Sequence, residues 1–359
     1  AQYCDSMKVP FVLRRFWLLL RGAAVDRDRP NLDRLSAIDD PMAFVWAILP
    51  HAARTFATSV LLLPAKSAPT AAIAYLYCRM LDTYEDLPEA AERERALNAF
   101  AARMGTMQPP PPLPTGGAHT ARDRVHLLLV QRCGLVDQAF ATLGEADRAS
   151  VVDLVRNMAD GMIRSSRRLA DQGGVLADQK QVAEYCHHVM GGPALFALRV
   201  TAAPVSPEVQ TDVLAVAEFI QLANITRDIE RDLERGIGYH PVLAPHLGTT
   251  EAQEPIAEAR RQLMRQALPQ VSAYVRLAER YAAEPFSLAR AAAVLMLLHT
   301  DRHYRWCAAQ VGHQPWRGPN TLGSMLGTSL SAAVSPWWSR KVIKRVEHDL
   351  LEAARALGP

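Results

Sequence analysis

The stretch AYLYCRMLDTYEDLP, residues 74–88, contains the pattern that decides the fold. Apolar residues recur in it at intervals of three and four, which predicts a helix rather than a strand. On such a helix Tyr75, Arg79, Asp82 and Asp86 fall on one face, because residues four or seven positions apart lie above one another. Two carboxylates therefore point the same way from an otherwise apolar helix.

A second stretch, EFIQLANITRDIERDLERG at residues 218–236, repeats this arrangement. Gln221, Asn224, Asp228 and Asp232 share one stripe of the predicted helix, and apolar residues pack beside them. A single pair of aspartates four residues apart is common on a solvated helix face. Two such pairs, each in a strongly apolar helix with arginine nearby, indicate a binding site.

The chemistry of these side chains predicts magnesium and phosphate. Two aspartates four residues apart destabilise a helix by about 0.2–0.5 kcal/mol unless a cation lies between them. Magnesium prefers oxygen ligands and binds through one or two carboxylates plus substrate phosphates. Arg54, Arg79 and Arg227 are candidate diphosphate contacts, since a guanidinium offers paired donors to phosphate oxygens. The alternative for each arginine is an ion pair with a neighbouring acid.

The rest of the chain follows the same helical periodicity. Of its 359 residues, 49% are hydrophobic and 21% are charged, which is typical of a globular protein with a large core. No segment sustains the alternation of a strand, so we predict an all-α fold. The predicted helices are 41–63, 69–85, 88–104, 120–143, 145–170, 179–202, 206–235, 251–283 and 285–311.

Two breaks interrupt these helices without a change in composition. Consecutive prolines make Pro109–Gly117 a predicted loop, and glycines with prolines do the same at Arg235–His246. We find no internal repeat. The predicted organisation is an N-terminal extension at 1–40, one helical domain with the site at 41–315, and a C-terminal helical extension at 316–359.

The net charge and the cysteines indicate which binding partners and which cellular compartment to expect. The net charge of +3 is small and the basic residues are scattered along the chain. Nucleic-acid-binding proteins carry clustered basic residues, so we do not expect nucleic acid as a partner. Five widely spaced cysteines are typical of reduced thiols, and we therefore predict a reducing, cytoplasmic compartment. No transmembrane helix is predicted. The segment Val9–Leu20 carries Arg14 and Arg15, so it either lies on an anionic membrane surface or docks on the core.

Four blocks in this order carry a family resemblance: ARTF at 53–56, YLYCRMLDTYED at 75–86, YCHHVMGG at 185–192 and QLANITRDIERD at 221–232. The chain resembles the squalene and phytoene synthases, the head-to-head trans-prenyltransferases, over roughly residues 45–310. The pairing of its last block with LDTYED is more similar to squalene synthases. The resemblance implies an all-α, single-domain isoprenoid synthase of the class I terpenoid type, a helical bundle around a central cavity.

The resemblance also implies a reaction and roles for residues. Two farnesyl diphosphates would be joined to presqualene diphosphate and then to squalene, with magnesium bound to the diphosphates. Whether NADPH finishes the product stays open. The implied magnesium ligands are Asp82, Asp86, Asp228 and Asp232, supported by Glu85 and Asn224. The implied diphosphate ligands are Arg54, Arg79 and Arg227, and the residues implied in catalysis and proton transfer are Arg79, Tyr75 and Tyr185.

Departures from the family pattern keep alternatives open. Leu87 stands where squalene synthases commonly have another acid, and the stretch from Tyr239 to Pro241 resembles the family's aromatic-X-Pro motif but lacks the usual residue between the tyrosine and the proline. A phytoene or dehydrosqualene synthase, or an enzyme that stops at presqualene diphosphate or an alcohol, is the nearest alternative. A non-catalytic assembly protein is another, although all four aspartates are present. The oligomeric state is left undetermined.

Overall fold

The structure is a computed structural model. It describes residues 11–24, 26, 29–53, 56–87, 90–106, 108–113, 120–201, 205–249, 251–280, 284–312, 318–319 and 321–357. Of the residues in these ranges, 81% are helical. Within the described ranges there is no strand, only an isolated bridge between Val175 and Gly238. The predicted all-α class is confirmed.

Seventeen α-helices lie in the described part of the chain. They are α1 Phe11–Ala24, α2 Leu32–Ser36, α3 Pro41–Ala53, α4 Phe56–Leu62, α5 Ala68–Glu85, α6 Ala90–Ala102, α7 Ala121–Gln131, α8 Cys133–Ala141, α9 Glu145–Asp171, α10 Gln179–Cys186, α11 Gly192–Thr201, α12 Pro207–Glu234, α13 Gln253–Ala267, α14 Val271–Arg280, α15 Leu288–Gln310, α16 Leu322–Val334 and α17 Pro336–Ala356. A π-helix spans His187–Gly191, and 3₁₀ helices span Pro241–His246 and Leu268–Gln270.

The predicted helices occur, but several of them are shorter than expected. The segment predicted as helical over 179–202 is helical from Gln179 to Thr201, but its backbone adopts the wider π conformation at His187–Gly191. The single helix predicted over 251–283 changes to a 3₁₀ turn at Leu268–Gln270. Pro269 lies in that turn and has no backbone N–H to donate, which explains the change. The predicted loop at Arg235–His246 contains a 3₁₀ helix.

The chain forms two compact units. The first comprises Ala1–Ile163 with Val200–Ala202, and the second comprises Arg164–Arg199 with Ala203–Pro359. The domain limits predicted from the sequence are a different division and stay a prediction. Each acidic helix belongs to its own unit, α5 to the first and α12 to the second.

Helices α3 and α5 form the centre of the first unit. They pack against each other, and α7 and α8 pack against both. The helix α3 is apolar almost all round, as a helix surrounded by protein must be, and Phe44, Ile48 and Leu49 are buried. From α5, Leu76 and Met80 are fully buried. The polar stripe of α5 does not take part in this apolar packing.

At the N-terminus, α1 packs on α4 within the first unit. The Arg15 guanidinium is buried and donates from Nη2 to the carbonyl of Leu63 at 2.7 Å. These contacts support docking on the core, while Trp17 and Leu20 stay 57% and 71% exposed. None of the helices that the structure describes combines the length and the hydropathy of a membrane span.

The long helix α12 is the centre of the second unit, with α13, α14, α15 and the π-helix packed around it. It begins where Ser206 caps Val209 N–H, and Pro207 occupies the first turn, where no donor is needed. Phe219 and Leu222 are fully buried and attach its inner face to the core. A long helix held this firmly positions the polar residues of its last three turns.

The end of α12 is closed by a Schellman motif. Ile237 N–H donates to the carbonyl of Asp232 at 2.9 Å, and Gly236 N–H donates to the carbonyl of Leu233 at 3.0 Å. Gly236 adopts a φ of +74°, which glycine tolerates best. The motif places Asp232 in the last helical turn, just before the chain turns away.

A glycine loop after α9 holds this turn in place. Gly238 N–H donates to the carbonyl of Gly174 at 2.9 Å, and Leu176 N–H donates back to the carbonyl of Gly238 at 3.0 Å. We expect Gly174→Ala to lower the free energy of unfolding by more than about 1 kcal/mol. Its φ is +92°, and an added Cβ would collide with the carbonyl oxygen of Gly236. Chemical denaturation measures the change.

Two matched substitutions separate the causes. Gly173 has a φ of +67° with nothing within 4 Å of an added Cβ, so Gly173→Ala carries the backbone cost alone. Gly134 lies inside α8 with open space around it, and Gly134→Ala is expected to be neutral or to stabilise by up to about 1 kcal/mol. Equal losses at Gly173 and Gly174 would contradict the collision.

All four cysteines in the described ranges are buried and unpaired: Cys78, Cys133, Cys186 and Cys307. Their burial agrees with the prediction of core thiols, and Cys4 lies outside the described residues. Burial also raises the pKa of the Cys307 thiol to about 11. Such thiols stay protonated at neutral pH and act as small apolar groups.

Candidate active site

The polar stripe of α5 joins three of the predicted residues. Arg79 Nη1 lies 2.9 Å from Asp82 Oδ2, and Arg79 Nη2 donates to the hydroxyl oxygen of Tyr75 at 2.8 Å. The guanidinium carbon also lies 5.6 Å from the centroid of the Tyr75 ring. Phe56 stacks on that ring at 5.0 Å. Arg79 is therefore held from two sides, with Asp82 beside it.

Asp82 has an unfavourable environment for a carboxylate. Burial raises its pKa above the ordinary value, and the neighbouring Asp86 acts in the same direction. Arg79 and Arg122 lower it, although not enough to offset burial. Any further cation at this position would remove the imbalance. The side chain is still 30% exposed, so a cation can reach it.

Glu85 and Asp86 stand at the end of α5. Glu85 is its last residue, and Asp86 is the C-terminal capping residue, whose N–H donates to the carbonyl of Asp82 at 3.1 Å. Asp86 is exposed and contributes to the raised pKa values of both Asp82 and Arg79. For Arg79, burial lowers the pKa, and Tyr75, Asp82 and Asp86 together more than reverse it. The predicted grouping on α5 is present, with Asp86 just past the regular helix.

The corresponding stripe of α12 has its own ion pair. Arg227 binds both carboxylate oxygens of Asp228, with Nε at 2.8 Å from Oδ1. Arg227 Nη1 lies 3.4 Å from Nε2 of His303 on α15. One turn earlier, Asn224 Nδ2 donates to Gln221 Oε1 at 3.2 Å. Asp228 is 36% exposed, so here too one carboxylate is accessible beside a fixed guanidinium.

Electrostatics keep Arg227 charged and His303 neutral. Burial lowers the pKa of Arg227, but Asp228 and Asp232 contribute to a net rise. For His303, burial and then Arg227 lower the pKa to about 4. At neutral pH the imidazole adds no charge and can accept a hydrogen bond from Arg227.

Tyr185 lies at the end of α10, just before the π-helix. Its ring is buried, and its hydroxyl accepts a hydrogen bond from Tyr239 at 3.2 Å. The two ring centroids are 5.2 Å apart. Tyr239 follows the Schellman turn of α12, so the same loop that ends the acidic helix brings a second hydroxyl to Tyr185.

Three neighbours were missed by the sequence interpretation: Arg122 near Asp82, His303 against Arg227, and Tyr239 against Tyr185. Each comes from an element distant in sequence, so helical spacing around the acidic blocks carries no signal for it. Tyr239 stood out only as part of an altered aromatic-X-Pro motif. Arg54, a predicted diphosphate ligand, lies outside the described residues.

The donor set fits magnesium within each helix. Among the residues that the structure describes, no group of three or more His, Cys, Asp or Glu side chains could enclose a metal. A hard cation that keeps several waters and takes phosphate oxygens needs only one or two carboxylates. Asp82 with Asp86, and Asp228 with Asp232, meet that need, and the raised pKa of Asp82 favours a nearby cation.

Comparison with known proteins is consistent with this description. The profile of the squalene/phytoene synthase family matches residues 49–314. A search of curated proteins found no significant match. Two complexes of the squalene synthase TcSQS with different ligands have TM-scores of 0.64 and 0.62 at 17% identity, over 89% of this chain and 100% and 99% of theirs.

A dehydrosqualene synthase with a bound ligand has a TM-score of 0.49 at 18% identity, over 87% of this chain and 97% of that one. At such identities a likeness concerns the fold alone. The two TcSQS structures share the helical fold of squalene synthase-like isoprenoid synthases with this chain. The fold class predicted from the sequence is confirmed by them.

Proposed function

The chain belongs to the squalene/phytoene synthase family, and from that premise we propose that it joins two farnesyl diphosphates head to head. The proposed product is presqualene diphosphate, which is converted onward to squalene with release of diphosphate. One observation carries the proposal: both matched acidic helices present a partly exposed aspartate paired with a fixed guanidinium, Arg79 with Asp82 and Arg227 with Asp228.

Each ion pair is suited to a substrate that brings both charges. A magnesium diphosphate offers a cation to the carboxylate and phosphate oxygens to the guanidinium, so both partners exchange one ionic contact for another. Before substrate arrives, Arg79 and Asp82 bind each other, and this ion pair offsets part of the cost of burying the two charges. A site built only of carboxylates would repel the diphosphate.

The residues of this chain then have separate roles. When bound, magnesium would withdraw charge from the leaving diphosphate and ease ionisation of the allylic C–O bond. Arg79 and Arg227 would hold diphosphate oxygens, and Tyr75 would hold Arg79 in its rotamer through the 2.8 Å hydrogen bond. Tyr185 would hold or move a proton at its hydroxyl, oriented by the hydroxyl of Tyr239.

Tyr239 provides a test of that last role. We expect Tyr185→Phe to lower kcat by about 10²-fold, since it removes a hydroxyl involved in proton transfer. Tyr239→Phe is expected to have a smaller effect of about tenfold on kcat with little change in KM, because it only orients Tyr185. Steady-state kinetics with farnesyl diphosphate measure both. A larger loss in Tyr239→Phe than in Tyr185→Phe would contradict this order.

Product identification tests the function itself. The purified chain is incubated with farnesyl or geranylgeranyl diphosphate, each with and without NADPH, and products are identified by mass. Squalene from farnesyl diphosphate and NADPH is expected, with activity lost in EDTA and restored by magnesium. Phytoene from geranylgeranyl diphosphate would indicate a phytoene synthase instead. Accumulation of presqualene diphosphate or an alcohol would indicate an enzyme that stops at that product. Absence of diphosphate release would indicate a non-catalytic member of the family.

A further inference from the structure

Several large apolar side chains lie exposed at one corner of the second unit. Phe286 is 59% exposed, Leu330 45%, Val334 66% and Trp337 62%. Leu330 and Val334 are one turn apart at the end of α16, and Trp337 begins α17 three residues later. Phe286 joins them because Ser287 N–H donates to the carbonyl of Ala333 at 2.9 Å. We call these four residues with Arg340 and Lys341 the α16–α17 corner.

A buried arginine holds this corner together. The guanidinium of Arg290 on α15 donates to the carbonyls of Ala332 at 2.6 Å and Ala333 at 2.7 Å. The same group donates to the carbonyls of Glu284 at 2.6 Å and Pro285 at 3.1 Å. The loop that carries Phe286 is thereby tied to the end of α16. The exposed apolar side chains are therefore carried by backbone segments that the Arg290 hydrogen bonds hold together.

The charge around the corner has one dominant sign. From residue 318 to residue 346 the sequence has no acidic side chain, while Arg340, Lys341, Lys344 and Arg345 are basic. Lys344 lies 3.3 Å from Glu279 and 3.8 Å from Glu347, so its charge is compensated. The other three are exposed, and Glu284 is the acidic residue beside Phe286. The corner therefore keeps a net positive charge.

The tryptophans and basic residues are also in contact. Lys341 Nζ lies 5.2 Å from the Trp337 ring centroid and 5.8 Å from that of Trp338. On α16 the solvent-facing positions are glycine, serine, leucine and valine, and the helix has no charged residue. A helix face exposed only to water normally carries charges. The uncharged face of α16 is therefore suited to contact with another apolar surface.

We propose that the α16–α17 corner docks on the surface of an anionic lipid bilayer. Tryptophan and phenylalanine favour the boundary between headgroups and acyl chains, and lysine and arginine beside them bind anionic headgroups. A protein partner or second copy would typically bury about 800 Å² on each side, with a polar, solvent-accessible rim around it. A net positive charge around exposed aromatic side chains fits the anionic lipid surface better. This docking is independent of the reaction proposed above.

Vesicle flotation of the full chain tests the proposal. We expect binding to phosphatidylcholine vesicles that contain about 30% phosphatidylglycerol, weakening as salt rises, and little binding to pure phosphatidylcholine. Phe286→Ser with Trp337→Ser should lower the partition coefficient at least about tenfold through lost apolar burial. Arg340→Gln with Lys341→Gln should lower it at least about tenfold through lost charge. One double variant removes apolar burial and the other removes charge. Either of them alone therefore tests the proposal if the other misfolds.

Matched controls lie elsewhere on the chain. Trp306→Ser removes a tryptophan that is 46% exposed on α15, and Arg156→Gln with Arg164→Gln removes two exposed charges on α9. Both should bind vesicles like the wild type. Trp17→Ser tests α1 as the competing surface. The proposal would be overturned if the wild type did not bind, or if it bound neutral and anionic vesicles equally. It would also be overturned if both corner variants bound like the wild type, or if only Trp17→Ser lost binding. So would a dimer in light scattering without lipid that the corner variants lose.

Discussion

Asparagine at position 82 or 228 is expected to lower kcat/KM by at least about a thousandfold, because each substitution removes a carboxylate that would bind magnesium at the leaving diphosphate. Asparagine keeps the size of the side chain and one oxygen, so packing is preserved. Steady-state diphosphate release, measured at saturating magnesium, gives the effect. Activity within tenfold of the wild type in either variant would refute the assignment of that residue.

Stability distinguishes this functional role from a structural one. Because burial raises the pKa of Asp82, the folded protein favours the neutral form at that position relative to the unfolded chain. Asp82→Asn should therefore leave the melting temperature unchanged or slightly raised while activity disappears. Asp153→Asn, an exposed aspartate on α9, is the matched control and should keep both activity and stability. A large fall in melting temperature for Asp82→Asn would instead indicate that Arg79 needs its partner for folding.

The largest expected loss of stability lies elsewhere, in a buried ion pair between the residue just after α6 and helix α8. The guanidinium of Arg103, which follows α6, binds both carboxylate oxygens of Asp137 on α8, and both side chains are almost fully buried. Tyr77 on α5 donates to the same carboxylate at 2.7 Å. Arg103 Nε also donates to the carbonyl of Gln108 at 2.5 Å. Three elements thus converge on Asp137.

Asp137→Ala is expected to lower the free energy of unfolding by about 3–5 kcal/mol, since it leaves the Arg103 charge buried without its partner. Guanidinium chloride denaturation measures this loss. Arg103→Met with Asp137→Leu should recover most of it, because removing both charges removes the desolvation cost. Tyr77→Phe should cost less, about 1–3 kcal/mol, from one lost hydrogen bond to a charged group.

An exposed ion pair supplies the contrast. Arg261 and Glu258 are about one-third exposed on α13, and Arg261→Gln should change the free energy of unfolding by less than about 1 kcal/mol. If Asp137→Ala costs no more than Arg261→Gln, the buried pair does not support the first unit. If the double variant is no more stable than Asp137→Ala, the loss comes from shape rather than charge.

Much of the secondary structure could be predicted from the sequence, because helical periodicity is local. The ends of α5, α9 and α12 agree with the prediction within about a turn. Periodicity does not distinguish an α turn from a π turn or a 3₁₀ turn over a few residues, so the change at His187–Gly191 was not predictable. The break at Leu268–Gln270 could have been suspected from Pro269.

Contacts within each acidic helix were predictable for the same reason. Tyr75, Arg79 and Asp82 are separated by three and four residues, which brings them together on any α-helix. Their partners from other elements were not predictable. His303 reaches Arg227 across 76 positions of sequence, and Tyr239 reaches Tyr185 across 54. Only packing of α15 and of the loop after α12 brings those groups into contact.

The sequence by itself determined the all-α class and the two polar stripes, since both depend on residues at fixed spacing along a helix. It also determined the family, since the four blocks that carry the resemblance follow one another in order along the chain. Tertiary structure decided which charges are compensated, because burial and contacts across the fold set the raised pKa of Asp82, the neutral imidazole of His303 and the buried pair of Arg103 with Asp137. It also decided that Phe286 and Trp337 share an exposed corner, since Arg290 joins their segments through backbone carbonyls that no sequence pattern reveals.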